Sequence, residues 1–367
     1  MHEGIDIVRK KFAIIMVIIC FSVLTSCNKE DSIQTDKKND EAEVLVNMMV
    51  LEEEESIDEI DLQTVRPNEM GEVMVLMYHH IDEPEAEWTR TPENFRKDLL
   101  ELYDRGYRPI SLEDYVRGNI GIPAGYKPIV LTFDDGNQNN FNMIEDQAGE
   151  WIIDPNCAVG ILVDFHENHP DFPLKASFFI NGGTSFGQAD WLEYKLNYLV
   201  EMGMDIGNHT NTHINFTNAS AEKIQEEIGR VNNFVKQYLP EYEINTLALP
   251  FGSKPKDDSL LPYLLKGQHD GIKYENIGIL EVGWDPYKSP HDEEFDFTKI
   301  RRVRASETKV DGVGIYNWLE TLEKGTRLPY ISDGQADIIT VPEQYRGKLS
   351  KNIKDENIRY YDLKDED

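Results

Sequence analysis

The chain reads as an α/β protein with about seven parallel strands, closer to a closed or nearly closed barrel than to an open sheet. Three observations predict this. From about Glu72, short β-rich runs alternate with amphipathic helical stretches, the texture of strand–helix–strand crossovers. About seven such alternations fit into roughly 280 residues, a spacing suited to a barrel. With 367 residues, 40% of them hydrophobic, the chain is also long and apolar enough to bury a sizeable core.

The elements follow in order. Strands are expected at Val73 to Tyr78, Pro128 to Phe133, Ala176 to Ile180, Asp205 to Gly207, Thr246 to Leu249, Ile277 to Val282 and Asp337 to Val341. A helix over Pro92 to Arg105 has Thr91 as cap, Pro92 at the first helical position and Gly106 as stop. Further helices are expected at Trp191 to Met202, Ala221 to Leu239 after Ser220 as cap, and Gly314 to Leu322. Asn137 to Lys175 reads as a loop-rich insertion, and the charged tail 351–367 as frayed.

Ahead of this domain lies an address. Arg9, Lys10 and Lys11 precede the apolar run Phe12 to Thr25, the pattern of an export signal. As a helix that run reaches roughly 20 Å, short of a hydrocarbon core of about 30 Å. Leu24-Thr25-Ser26-Cys27 resembles the lipobox of bacterial lipoproteins, which implies cleavage after residue 26 and acylation of Cys27. The expected division is 1–26 signal peptide, 27–71 acidic tether, 72–350 main domain and 351–367 tail. Such a protein would be extracytoplasmic and held to the cell envelope by its lipid. Cys20 leaves with the signal and Cys27 is blocked, so Cys157 is left as a free thiol with no disulfide partner.

Charge narrows the partners. Asp and Glu number 68 against 37 Lys and Arg, a formal net charge of −31, which argues against a nucleic-acid partner. A monomer is expected. Between Asn28 and Met70 there are 14 acidic and four basic residues, so part of the acidity belongs to a self-repelling spacer. About 43 flexible residues reach on the order of 35–40 Å.

The chemistry sits just beyond strand ends. Ile129 to Phe133 reads as a buried strand that runs into Asp134-Asp135-Gly136, and Met204 to Gly207 runs into Asn208-His209-Thr210-Asn211-Thr212-His213. On a helical turn His209 and His213 would face one way. One Asp and two His form a ligand set for a catalytic divalent metal, and the second Asp is free to act as base. Zn²⁺ suits the donors, while Co²⁺, Mn²⁺, Ni²⁺ and Fe²⁺ are also admitted.

The segments TFDDG at 132–136, HTNTH at 209–213 and LPFG at 249–252 resemble the polysaccharide deacetylases of carbohydrate esterase family 4, the NodB-homology domain. VLMYHHI at 75–81 resembles the opening strand of an exported subgroup. The resemblance covers about Val73 to Leu349 and implies a distorted (β/α) barrel. It assigns Asp134 as general base and Asp135, His209 and His213 as metal ligands. It further implies an oxyanion contact from the backbone after Pro250, at Phe251.

Two departures stand out. The family's third motif carries an Arg where this chain has Ala248, and its last motif supplies a His as general acid where Ile338 to Pro342 has none. His79 and His80 are candidate substitutes, with His80 taken as the catalytic one. Trp284, in GWDPYKSP with Tyr287, is a candidate sugar-stacking residue. His166, His169, His269 and His291 read as exposed loop residues without a role.

The resemblance implies deacetylation of an acetylated polysaccharide, with N-acetylated sugars as the leading substrate. An O-acetyl ester is the second reading, because an alkoxide depends less on a strong acid. A third is an envelope-anchored carbohydrate-binding protein that has lost turnover.

Overall fold

A computed structural model describes residues 60–183 and 185–364. The signal, Cys27 and the tether up to residue 59 lie outside the described residues. Seven parallel strands make the central sheet: β1 (Met74–Tyr78), β2 (Lys127–Phe133), β3 (Ser177–Ile180), β4 (Asp205–Asn208), β5 (Thr246–Ala248), β6 (Gly278–Leu280) and β7 (Val303–Arg304). Each pairs with its successor from β1 to β6, and β7 pairs back onto β1 through Leu76–Val303 and Met77–Arg304.

The remaining gap, between β6 and β7, is bridged just upstream of β7. Ile300 N–H donates to the Ile279 carbonyl and Glu281 N–H to the Ile300 carbonyl, both at about 2.8–2.9 Å. A short strand, Tyr107–Pro109, adds to β2 outside the ring. The strand ring is therefore the expected distorted (β/α) barrel, joined by the residues 300–304.

Both faces of the strands are covered, as a parallel sheet requires. Met74, Leu76, Ile129, Leu131, Phe178 and Ile206 point outward under the helices. Val73, Val75, Val130, Phe179, Ala248 and Leu280 fill the barrel interior. Gly207 has no alternative there: a Cβ would lie 2.4 Å from the Phe179 ring.

The helices run α1 (Pro92–Asp104), α2 (Leu112–Arg117), α3 (Ala158–Asn168), α4 (Leu192–Glu201), α5 (Ala221–Lys236) and α6 (Ile315–Glu323). In α1 the Thr91 hydroxyl accepts from Asn94 N–H at 3.1 Å, and Phe95, Leu99 and Leu102 form its buried stripe. In α5 Ser220 caps, and Ile224, Ile228, Val231 and Val235 face inward.

Four expectations need correction. The insertion 137–175 contains α3, whose β-branched and glycine-bearing run between Pro155 and Pro170 hides a helix in the sequence. The strand near 337–341 falls at Ile339–Pro342 (β8) but lies outside the barrel, pairing with Ile358–Tyr361 (β9). The tail therefore does not fray at 351: β9 is ordered, and Tyr361 Oη donates to the Pro67 carbonyl at 2.9 Å. The compact unit also begins at Ile60 rather than 72. Asn68 and Glu72 bridge to Ile331 and Pro329, because residues 60–71 cover the barrel's flank instead of staying in solvent.

Glu69 ties these two ends together. It is 1% exposed and accepts from Asp333 N–H at 3.3 Å and Thr340 N–H at 2.9 Å. Burial, with the Asp333 carboxylate as a second cause, pushes its carboxyl up to about 8. Between the unfolded value near 4.3 and pH 8 the folded state binds the extra proton, so stability falls as pH rises across that window. The melting temperature should drop from pH 6 to pH 9, and Glu69→Gln should flatten that slope. A wild-type curve as flat as the variant's would show that Glu69 does not titrate this way.

Candidate active site

The site lies at the C-terminal ends of the barrel strands, where a (β/α) barrel places its chemistry. β2 delivers Asp134, whose N–H donates to the Tyr78 carbonyl at 3.0 Å. The next residue, Asp135, takes a left-handed φ of 74°, followed by Gly136 at 61°. That reversal separates two adjacent carboxylates: Asp134 points into the barrel at 1% exposure, while Asp135 turns to the mouth and is half-buried.

β4 delivers His209, which is buried, with Nδ1 2.8 Å from the Ala248 carbonyl. A carbonyl only accepts, so Nδ1 carries the proton and Nε2 keeps its lone pair for a ligand. His213 does not follow on a helical turn as expected. Thr210 (φ 64°) and His213 (φ 53°) are both left-handed, and this looped backbone brings the two imidazoles to 5.0 Å. The loop is braced from several sides. Asn208 Oδ1 accepts from Thr210 N–H, the Glu227 carboxylate from the N–H and hydroxyl of Thr212, and Asn181 Nδ2 donates to the carbonyls of His209 and Thr210.

The expected ligands are brought together. Asp135 Oδ1 lies 3.4 Å from His209 Nε2 and 3.4 Å from His213 Nε2. All three donor atoms fall within 4.8 Å of one another. Two ligands about 2.1 Å from a tetrahedral metal stand roughly 3.4 Å apart, so the spacing fits a divalent cation of zinc's size. Burial pushes Asp135 up, but the close contact with His209 outweighs it and leaves this carboxyl well below the usual range.

Asp134 is held from beneath by a residue that the sequence motifs do not indicate. Arg302, fully buried, donates from both terminal nitrogens to the two oxygens of Asp134, each at 2.7 Å. It also donates to Thr132 Oγ1 at 3.1 Å and to the Glu281 carbonyl at 3.0 Å, and lies over the Phe179 ring. Burial pushes Asp134 up, yet Arg302 and the His209 imidazole together hold it below the ordinary carboxylate range. At Ala248 the side chain is a methyl in the interior, and the guanidinium arrives instead from the segment entering β7.

Around this centre is a pocket of about 510 Å³, lined by His79, His80, Trp88, Leu249, Phe251 and Val282 besides the carboxylates and imidazoles. His79, rather than His80, faces Asp134, with Nε2 4.0 Å from Asp134 Oδ2 and its ring 4.7 Å from that of Trp88. Burial pushes its imidazole down to about 4, against the pull of Asp134 and Asp135. His80 turns its Nδ1 to Asn139 at 3.2 Å. Trp88 has no motif to announce it.

Phe251 is left-handed at φ 58° directly after Pro250, 64% exposed, with its ring 4.6 Å from that of His213. Trp284 is 63% exposed but lines a neighbouring cavity, not the central pocket. Ile338 to Pro342 is remote in topology, on the β8–β9 ladder. The four histidines left without a role are not exposed loop residues: His166 lies within α3 and, like His169 and His269, is half-buried, while His291 is buried and burial pushes it down to about 4. Cys157 is buried and free, and its Sγ accepts from Gly160 N–H at the start of α3.

Residues 171–264 match the family model described as Polysaccharide deacetylase, a span that includes His209, His213 and Pro250 but not Asp134. No curated protein sequence matches the chain. Among solved structures, the Streptococcus pyogenes deacetylase PplD in complex with acetate aligns at TM-score 0.50 and 20% identity, over 69% of this chain and 98% of that one. The polysaccharide deacetylase BC0361 from Bacillus cereus aligns at TM-score 0.47 and 21% identity, over 66% and 67%. IcaB from Ammonifex degensii aligns at TM-score 0.46 and 19% identity, over 67% and 97%. The first of these likenesses identifies the fold as that of a deacetylase barrel.

Two outcomes test this geometry. Titrating the chelator-treated protein with Zn²⁺ by calorimetry should give one site. Asp135→Ala or His213→Ala should weaken it by more than the roughly 10- to 100-fold that loss of an outer-shell partner costs. Arg302→Met should leave Asp134 buried without its cation and cost about 3–5 kcal/mol of stability near pH 7. Because the folded carboxyl is depressed, the pair's contribution is full above the unfolded value near 3.9 and is lost as pH falls through the lower folded value. The difference in melting temperature should therefore shrink below about pH 4.

Proposed function

We propose that this protein is a metal-dependent hydrolase that removes N-acetyl groups from N-acetylglucosamine-type residues of an extracellular or cell-wall polysaccharide. The observation that carries this reading is the separation of roles in one pocket. Asp135, His209 and His213 converge as ligands, while the neighbouring Asp134 is buried and kept ionised by Arg302. The family match over 171–264 supports an acetylated sugar as substrate.

When bound, the cation would lower the pKa of water and polarise the acetyl carbonyl. Asp134, ionised at neutral pH and fixed by two hydrogen bonds, takes the proton of the attacking water. The Phe251 N–H, beside the ligand His213, donates to the oxygen that gains charge in the tetrahedral intermediate. His79 is neutral in the resting molecule, and its Nε2, 4.0 Å from Asp134 Oδ2, receives that proton across one intervening water. Passing it to the nitrogen as the C–N bond breaks leaves a free amine and acetate. Trp88 fixes the imidazole by ring contact and covers that side of the pocket.

The N-terminal features support placing this activity outside the cytoplasm, with a lipid on Cys27 and the acidic segment as spacer. Cys27→Ala should then release the protein from the membrane fraction of expressing cells. Incubating the protein with Zn²⁺ and N-acetylglucosamine oligomers should liberate acetate. Asp134→Asn should reduce that rate on the order of 10²- to 10⁴-fold, as should His79→Ala, while His80→Ala should cost less. An O-acetyl ester with a good leaving group should be far less sensitive to His79→Ala. No acetate from either class would leave carbohydrate binding as the surviving reading.

A further inference from the structure

The insertion that follows β2 carries a surface feature that the chemistry of the central pocket does not use. Within it, Met143–Glu145 and Trp151–Ile153 pair as an antiparallel hairpin, which lies against the start of α4. Trp151 of the hairpin and Tyr194 of α4 are 46% and 43% exposed, while Trp191 and Tyr198 are half-buried. Ring centroids run from Trp151 to Trp191 at 5.2 Å, from Trp191 to Tyr194 at 5.8 Å and from Tyr194 to Tyr198 at 5.8 Å. Four rings thus form a row on the surface. Trp191, Tyr194 and Tyr198 stand at i, i+3 and i+7, the spacing of one helix face. None of the four lines the central pocket.

The row is held from beneath. Gln188 clamps the hairpin to the helix, its Oε1 accepting from Met143 N–H and its Nε2 donating to the Met143 carbonyl, both at 2.8 Å. Lys195, fully buried, donates to Gln188 Oε1 at 2.7 Å and to the Phe186 carbonyl at 2.8 Å. The buried Phe141 ring meets those of Tyr198 and Tyr194, and Asp146 Oδ1 fixes the hairpin tip by accepting from the N–H groups of Ala148 and Glu150. Rigid aromatic rings left in water are binding surface, because ordering them costs little when a ligand arrives.

The surrounding charge selects the ligand. Glu145 stands directly across the hairpin from Trp151, on the same face, and Glu150, Asp190 and Glu193 adjoin Trp151, Trp191 and Tyr194 in sequence. All four carboxylates are exposed, and among the described residues none pairs with a lysine or arginine. No basic residue occurs between 141 and 157, and the buried Lys195 is the only one between 186 and 201. Arg96 and Lys175 meet these segments at their other ends, through the carbonyls of Pro155 and Gly203. Such a face repels an anionic membrane or glycan, and a second copy of it would set carboxylate against carboxylate. A sugar chain bearing protonated amines suits both features, its C–H faces stacking on the rings and its ammonium groups meeting carboxylates and aromatic faces.

We propose that this acid-rimmed aromatic row is a docking surface for amine-bearing, already deacetylated stretches of the polysaccharide, separate from the pocket that turns the sugar over. The inference rests on the deacetylase reading for where the amines come from, but not for whether the face binds them. Docking on its own product would keep the enzyme on a partly deacetylated chain, beside the acetylated rings that remain.

The test separates the two readings. Binding of glucosamine tetramer and of N-acetylglucosamine tetramer to the chelator-treated full-length protein is measured by calorimetry, and acetate release is measured separately on the zinc-loaded protein. The amine tetramer should bind about ten-fold more tightly than the acetylated one at about 0.05 M salt, and lose most of that preference at about 0.5 M. Trp151→Ala/Tyr194→Ala, both at exposed positions, should weaken the amine tetramer about ten-fold. Glu145→Gln/Glu150→Gln/Glu193→Gln should abolish the preference and leave binding of the acetylated tetramer unchanged. Both variants should deacetylate the N-acetylglucosamine dimer with the wild-type kcat/KM, since neither alters the central pocket. Amine binding that the aromatic variant retains, or no preference for the amine, overturns the docking surface. So does sedimentation with phosphatidylserine vesicles, or a dimer, that the aromatic variant abolishes, because the face would then belong to a membrane or a second copy. Acetate release with amine binding untouched by either variant would discard the docking surface alone. Amine binding lost in the variants, without acetate release from the wild type, would discard the deacetylase reading alone.

Discussion

The paired contact between Arg302 and Asp134 is the constraint on which the rest of the site depends. A carboxylate at 1% exposure is tolerable only with a partner, and here both oxygens are met at 2.7 Å by one guanidinium that is itself fully buried. The same stretch of chain that carries the guanidinium also closes the barrel. Ile300 bridges to Leu280, and Val303 and Arg304 pair with Leu76 and Met77. Closure of the fold and ionisation of Asp134 thus depend on one stretch of chain. Below the pair, Phe179, Val130 and Ala248 keep the interior dry, which strengthens the attraction and forbids any side chain at Gly207.

Strain collects at the mouth of this arrangement. Asp135, Thr210, His213 and Phe251 all adopt positive φ without being glycine. Each such residue costs on the order of 1–3 kcal/mol and persists only where its surroundings over-determine it. Asn181, Asn208 and Glu227 do so for the histidine loop, spending their hydrogen bonds on backbone rather than on ligand. The donors are therefore held at ligand spacing by contacts within the protein, which is what preorganisation means for a metal site.

What the sequence made legible was local. Asp134 and Asp135 follow β2 directly, His209 follows β4 with His213 in the loop after it, and a run of apolar residues ending in a turn is legible without neighbours. Where it failed, the partner was distant in sequence. Arg302 lies 168 residues from Asp134, preceded by another arginine, and nothing in its own window distinguishes it. Which of His79 and His80 meets Asp134 depends on which way a single residue beyond β1 faces. The helix α3 was masked by valine, isoleucine and glycine, and the β8–β9 ladder resembled a barrel strand because periodicity records apolar burial, not which sheet provides it.

The amino-acid sequence by itself determined the chemistry available: the strand–helix alternation, the paired aspartates, the two histidines and the acidic leader with its cysteine. Those are properties of short windows, in which residue type and spacing decide the outcome. Only the tertiary structure decided which aspartate is buried and which faces the mouth, which arginine replaces the missing one, and which histidine meets the base. It also decided that the central pocket shares walls with two further cavities, one of them lined with amides. The arginine and histidine contacts join segments distant in sequence, with Arg302 lying 168 residues from Asp134, and no short window of sequence contains both sides of such a contact.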